Sequence, residues 1–345
     1  MHDFIIIGQG VAGSFLAEEL FKRGCKILVI DKLNLSSASN IAYAVINPIT
    51  GRRMVKTWLA DELISHAEKT YRRLENDLSE NFFSPVKIVR LFNSVKDQND
   101  WSVRCADSGY EKYLSNSNIV CLDSEKIKND FGGFEINGGY KIAAALFFAA
   151  LRKFFKQKDI LLEEDFEFEN LVHEKDCVRY KNHTAQKIIF CDGAQALQNP
   201  YFKFLPFQPA KGEILILKIE NLHEEKIISH EIAIAPLGGN LYYIAATHDW
   251  NFHDSLPSEG GKIELLANLS AVLKLPFKVV EHKAAIRPTV KDRRPFIGFH
   301  PQFQNVGIFN GMGTKGFSLA PFFAKHFAEN LLEGKDLMRE VNVLR

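Results

Sequence analysis

Four consecutive apolar residues, Phe4 to Ile7, run straight into Gly8, Gly10 and Gly13. A continuous apolar run this short predicts a buried parallel strand. Beyond the glycines, Ala12, Leu16 and Leu20 recur at i+4 spacing and predict a helix. Gly24 stops it, and Lys22 and Arg23 stand in the last turn, where cations suit the helix dipole. Residues 26–30 form a second, mostly apolar run that ends at Asp31, so the first thirty or so residues read as one βαβ unit. Farther along, the pattern predicts a helix over 54–80 and a strand over 83–92 that Pro85 pushes toward an edge. A strongly apolar helix follows over 140–155. "DFEFENL", "CVRY" and "KIIF" read as three short strands up to Phe190. Residues 212–219 and 230–247 alternate like antiparallel strands, with "PLGGN" turning at 236–240. Residues 259–274 read as a helix. "VGIFNG" and "GFSLAPFFAKHFAENLLEG" close the chain as strand, glycine turn and a helix that Pro321 helps start. The expected fold class is α/β: a discontinuous Rossmann-type nucleotide domain with a second domain of mixed and antiparallel sheet.

Composition narrows this little. Of 345 residues, 46% are hydrophobic and 25% charged, with a formal net charge of +1. No global field therefore draws the protein to nucleic acid or an anionic membrane. The chain has no run of 18 apolar residues, so no span is expected, and the N-terminal apolar run is too short for a secretory signal. Cys25, Cys105, Cys121, Cys177 and Cys191 are scattered singly. That spacing excludes a CxxC dithiol centre or zinc knuckle; no metal site is expected, and a cytoplasmic location with reduced thiols is.

The glycines of "GQGVAG" have separable tasks. Gly8 allows the turn off the strand, Gly10 lets backbone approach a pyrophosphate, and Gly13 lets helix pack on strand. The phosphates then meet unpaired N–H groups at a helix N-terminus. Asp31, 23 residues after Gly8, is placed to accept from a ribose hydroxyl. A tight turn without ligand is the alternative. Whether the dinucleotide is NAD or FAD turns on the far end, where "FNGMGTKGFSLAP" puts Gly311, Gly313 and Gly316 between a strand and a helix. Reduced flavin is negative along its N1/O2 edge. Backbone amides over Met312, Gly313, Thr314 and Lys315, a helix dipole and the Lys315 ammonium would stabilise that charge. FAD employs both glycine clusters; NAD leaves the second idle.

From end to end the chain resembles the D-amino-acid oxidase and glycine oxidase family of FAD enzymes. The matching segments are "IIIGQGVAGSFLAEELFKRGCKILVIDK", "SSASNIAYAVINP", "NGGYKIAAALFFAALRKFF", "KIIFCDGAQA" and "AAIRPTVKDRRPFIGFHPQFQNVGIFNGMGTKGFSLAP". "ASNIAYAVINP" and "IAATHDW" look more like the oxidase domain of tRNA wobble-uridine modifying enzymes. The resemblance implies an FAD-binding domain over 1–80, 140–205 and 286–345, and a substrate domain over 81–139 and 206–285. It implies a cofactor-binding set of Gly8, Gly10, Val11, Ala12, Gly13, Asp31 and Lys32. Ser39, Asn40, Ala42 and Ala44 match the loop along the pyrophosphate and ring, Phe166 a position whose backbone meets adenine, and Gly193 a glycine turn. Met312 stands where histidine is common. No cysteine follows Cys191, so FAD is expected to be noncovalent.

"FGGFEINGGYK" is no second nucleotide motif, so electrons are expected from an organic substrate and leave to oxygen or another acceptor. The family oxidises C–N bonds by hydride transfer to flavin N5, with positioning rather than strong acid–base chemistry. Arg287 matches the arginine that grips a substrate carboxylate, a role suited to its bidentate fork; a structural ion pair is the alternative. His230 matches a pocket position and Tyr242, Tyr243 and His248 fall on strands expected above the flavin, with packing as the alternative for each. Lys211 is expected to be structural. Ala233 replaces a tyrosine that binds carboxylate in glycine oxidases, which argues for a larger substrate group than glycine. "TGRR" (50–53) and "KTYRR" (69–73) could meet RNA phosphates or be solvated surface. Three functions remain open: oxidation of a carboxylate-bearing amine or amino acid, a tRNA-directed oxidase acting on a carboxymethylaminomethyl uridine, and a flavoprotein without turnover.

Overall fold

The computed structural model describes residues 1–51, 53–114, 119–120 and 122–345; Arg52 of the "TGRR" stretch and Cys121 lie outside the described residues. The first strand, His2–Ile7, is central to an eight-stranded sheet. It pairs in parallel with Ile27–Ile30 on one side and His183–Phe190 on the other, and the latter pairs in parallel with Val306–Asn310. Leu161–Leu162 extends the parallel part, while Leu171–His173, Val178–Tyr180 and Phe296–Phe299 add antiparallel margins. Ile5 and Ile6 are fully buried, as a strand covered on both faces must be. The first helix, Val11–Lys22, lies against the closing helix, Gly316–Glu333, so the two ends of the chain meet.

The second eight-stranded sheet runs in the order Phe277–Arg287, Ala210–Ile219, Leu241–Ala245, Ala233–Gly238, Ile227–Ser229, Ile88–Leu91, Gly133–Ile136, Ile119–Val120. Its pairs are antiparallel except for Ile227–Ser229 with Ile88–Leu91. Alternation gives it two faces. Leu215, Leu217, Ile234, Tyr242 and Ile244 share one core cluster with Leu265 and Leu269 of the helix Glu259–Ser270. The opposite face turns toward the nucleotide sheet.

Several expected elements shift. The helix predicted over 54–80 is Ala60–Leu78, preceded by a hairpin of Ile49–Thr50 and Val55–Lys56. The helix predicted from 140 starts at Ala144, because Tyr140–Ile142 is captured as the middle strand between Val45–Ile46 and Phe83–Pro85. "DFEFENL" contributes only Leu171 to a strand. Its Phe166 and Phe168 instead stack on Tyr180 and Phe190 at 4.8 and 5.7 Å between centroids. A helix at Val95–Ala106, outside the predicted set, is capped by Ser94, whose Oγ accepts from the Asp97 amide at 3.2 Å. Pro321 does not start the closing helix but sits more than a turn inside it. A proline there withholds one N–H from the helix ladder, leaving the carbonyl four residues earlier unpaired. That carbonyl, Phe317 O, accepts instead from the hydroxyl of fully buried Tyr71 at 3.0 Å.

Candidate active site

A cavity of about 1410 Å³ runs between the two sheets, from the first glycine turn to the end of the strand Phe277–Arg287. Pockets for drug-sized ligands measure roughly 300–1,000 Å³, so this larger volume suits a dinucleotide with room beside it.

The sequence builds one end from the first βα turn. Gly8, at φ +95, takes the chain off the strand, and its amide donates to Ile30 O at 2.9 Å. A Cβ on Gly13 would lie 1.9 Å from Gly8 O, which is why the helix can approach the strand only through a glycine here. Gly8, Gly10, Val11 and Ala12 line the cavity, with Gly13 packed behind them. The Val11 amide donates to Ser39 Oγ at 3.1 Å, so the 39–44 loop is fastened to the helix N-terminus. Ser39, Asn40, Ala42 and Ala44 all line the cavity, and Ala44 holds a left-handed φ of 56°.

Asp31 also lines it, in a network the sequence reading missed. Its Oδ1 accepts from the Gln9 amide at 2.9 Å, and its Oδ2 from the Leu33 amide at 2.8 Å and from Arg152 Nη1 at 2.7 Å. Arg152 also donates to Gln9 Oε1 and Asp31 O and pairs with Glu163. The signal was available: Arg152 falls four after Phe148 and three before Phe155, on the buried stripe of an apolar helix, where a charge needs partners. Lys32 lines the rim and pairs with Asp165 at 2.6 Å. Phe166 and Gly193 are at the same end. Beside Gly193, Asp192 accepts Asn199 Nδ2 at 2.9 Å and Asn310 Nδ2 at 2.8 Å, one on each oxygen. Burial pushes its carboxyl up to about 6, the two amides only partly opposing this.

At the other end Met312, Gly313, Thr314 and Gly316 bring the closing glycine turn to the cavity. Lys315 departs from expectation. Its Nζ turns away to donate to Thr50 Oγ1 at 3.1 Å and Thr57 Oγ1 at 3.2 Å, and it is absent from the cavity wall. Burial, then Arg293 and Arg294, lowers its pKa to about 8. Of the backbone amides expected to serve here, those of Gly313 and Lys315 donate within the chain, to Pro288 O and Met312 O, each at 3.2 Å.

Arg287 is the last residue of its strand and reaches across Gly212 on the neighbouring strand. A Cβ on Gly212 would lie 2.0 Å from Nη2, so any side chain there would push the guanidinium out of this position. Nη1 donates to Thr247 O at 3.1 Å, and among the described residues no carboxylate pairs with it. Burial draws its pKa down. Tyr243 and His248 share this part of the wall; burial and then Arg287 lower the His248 pKa, which favours the neutral ring. The Tyr243 hydroxyl donates to Ile41 O at 2.9 Å and the Tyr43 hydroxyl to Pro236 O at 2.7 Å, with the rings 5.4 Å apart.

Two expected catalytic residues are not brought here. Tyr242 points to the opposite face of its strand, where its hydroxyl accepts from the Glu224 amide at 3.2 Å; Tyr243, one residue on, takes the inner face. His230 sits in the turn between two strands, outside the cavity, its carbonyl accepting from Arg90 and its Nδ1 buried without a partner. Lys211 is structural as expected, bridging Leu256 O and Glu213. In "KTYRR", Arg73 holds Glu18 with both terminal nitrogens and Arg72 pairs with Glu75. The described residues contain no cluster of metal-ligand type and no helix long and apolar enough to cross a membrane.

A sheet with a parallel core and its glycine turn, an acid on the cavity wall and a second glycine turn about 300 residues away define a dinucleotide-dependent oxidoreductase, and the long cavity fits FAD. The chain belongs to the DAO family of FAD dependent oxidoreductases, whose model matches residues 3–330. It is 23% identical over 354 residues to a glycine oxidase from Bacillus licheniformis, covering 96% of this chain and 93% of that one. Its fold is similar to that of a glycine oxidase from Geobacillus kaustophilus, with a TM-score of 0.79 at 19% identity and coverage of 97% and 95%. It is also similar to an iminodiacetate oxidase from Chelativorans sp. BNC1, with a TM-score of 0.76 at 20% identity and 98% of each chain covered. The protein is therefore an FAD-dependent amine or amino-acid oxidoreductase.

Proposed function

We propose that this chain oxidises the C–N bond of an amine or amino acid that carries a carboxylate. The carrying observation is Arg287: a largely enclosed guanidinium at the cavity wall that donates to one backbone carbonyl, Thr247 O, and pairs with no carboxylate among the described residues. A buried cation without a counter-ion is unfavourable, and a bidentate carboxylate would satisfy it. FAD, held noncovalently, supplies the hydride acceptor. The protein supplies orientation: Arg287 clamps the carboxylate, Gly212 leaves room for the clamp, and Tyr43 and Tyr243, each pinned to a carbonyl, wall the site. A neutral His248 adds no second positive charge to repel the amine. On this reading residues 1–80, 140–205 and 286–345 carry the cofactor, and 81–139 with 206–285 form the substrate wall. Electrons leave to oxygen or another small acceptor.

The test is anaerobic addition of amines with and without a carboxylate to the FAD-loaded protein, followed at the flavin absorbance band. Bleaching by carboxylate-bearing amines is expected. Bleaching only by amines that lack the carboxylate would overturn the proposal.

A further inference from the structure

A smaller cavity of about 220 Å³ adjoins the main one. Tyr43, Val45, Tyr243 and Ala245 line both, so only side chains separate them. Its floor is the inner face of the second sheet, and registration explains the hollow. Ala233 pairs with Ala245, Ala235 pairs with Tyr243, and Ser229 pairs with Ala233. Three alanines thus meet on one face, whereas the outer face at the same strands carries Ile234, Tyr242 and Ile244. Ile88 and Ile227 close the far side.

The lining has no charged side chain. Its polar members, Asn47 and Ser229, already bond to the Ile49 amide and to Arg90. A charged group would enter without compensation, while an apolar one would leave water at little cost. A cavity of about 150 Å³ holds a benzene molecule, so this one accommodates a branched aliphatic or aromatic group.

We propose that the hollow over Ala233 and Ala235 receives the substrate side chain, and that these alanines select amino acids with a large uncharged side chain over glycine. The inference rests on the proposed reaction, with the carboxylate at Arg287. The side chains facing the main cavity then hold the reacting carbon, and the alanine floor decides what that carbon carries.

The test compares the anaerobic bleaching rates of FAD-loaded protein with glycine, aspartate, and both enantiomers of leucine and phenylalanine. One enantiomer of leucine or phenylalanine should exceed glycine and aspartate by about tenfold or more in kcat/KM, in keeping with burial of a large apolar group. Ala233→Leu and Ala235→Leu should each erase that advantage, lowering kcat/KM on the large substrates far more than on glycine. Glycine matching the large substrates in the unaltered protein, or an equal loss for small and large in folded, FAD-retaining variants, would overturn this inference alone. A second measurement needs neither variant nor turnover. Isocaproate should perturb the flavin spectrum at a concentration about tenfold below acetate, and equal affinities would overturn the proposal. No bleaching by any amino acid would remove the reaction as well as the selection.

Discussion

A guanidinium at the wall of a cavity, held by a single carbonyl, is the arrangement a carboxylate ligand completes. Arg287→Ala should therefore retain FAD and lose kcat/KM on carboxylate-bearing amines by about ten- to a hundred-fold, or roughly 1.5–3 kcal/mol. Arg287→Lys should recover part of this, because an ammonium cannot reproduce the fork. Amines without a carboxylate should be almost unaffected; equal losses on both classes would assign the residue to fold or flavin. Asp192 yields a different kind of expectation. Folded, its carboxyl keeps a proton to about pH 6, whereas unfolded it releases it near pH 4. The folded apoprotein binds more protons between those values, so this group's contribution to stability falls as pH rises through them and is level above. The size is at most about 3 kcal/mol. Asp192→Asn should flatten the unprotected protein's urea midpoint across that window relative to the native chain; an unchanged difference would show that the carboxyl is ionised throughout. At this scale the sequence was partly legible. Residue type and spacing were enough to bring Arg287, Asp31 and most of the glycines to one cavity wall. Tyr242 and Tyr243 are adjacent, and which one faces inward depends on strand register, which is set by distant partners. Lys315 is long enough to find Thr50 and Thr57, hydroxyls far away in sequence.

Among the elements, the first βαβ unit and the closing strand, turn and helix stand as read, apart from the place of Pro321, because each carries its own periodicity and punctuation. The short strands at 45–46, 83–85 and 140–142 do not, since two- and three-residue strands exist only through their pairing. The closing helix depends on one such distant contact. Tyr71→Phe removes the hydroxyl that satisfies Phe317 O beneath Pro321, and should cost about 1–3 kcal/mol in urea denaturation. A loss within error would mean that the carbonyl finds water. Gly13→Ala sets a methyl where only 1.9 Å separates it from Gly8 O, so the first helix must lift from its strand. The variant should purify without FAD, and normal flavin stoichiometry would show that the turn yields without disturbing the cofactor.

Across the molecule, the cofactor cavity touches both ends of the chain and both large sheets. FAD should therefore act as a brace as well as a reagent. With ligand in hundredfold excess over its dissociation constant, linkage adds about 2.7 kcal/mol. The FAD-loaded protein should melt measurably above the apoprotein, in a concentration-dependent way, and acid or heat should release intact FAD. Flavin that stays with the denatured chain would demonstrate a covalent link. The molecule's limits were readable early: composition and scattered cysteines pointed only to a globular chain without a dithiol centre, and the two glycine clusters supplied the cofactor reading. The shape of the space beside that cofactor was not readable, because it is made where three alanines on two strands, and Ser229 on a third, come into register.

Gly212 extends this beyond a single molecule. It makes no bond to a ligand, yet any larger residue would occupy the volume of the Arg287 guanidinium. The two positions are thus mutually conditional. If Arg287 clamps a carboxylate, a descendant that acquires alanine at 212 displaces that clamp without altering the arginine itself. Among diverging relatives the glycine should be inherited with the arginine and drift once the arginine is gone.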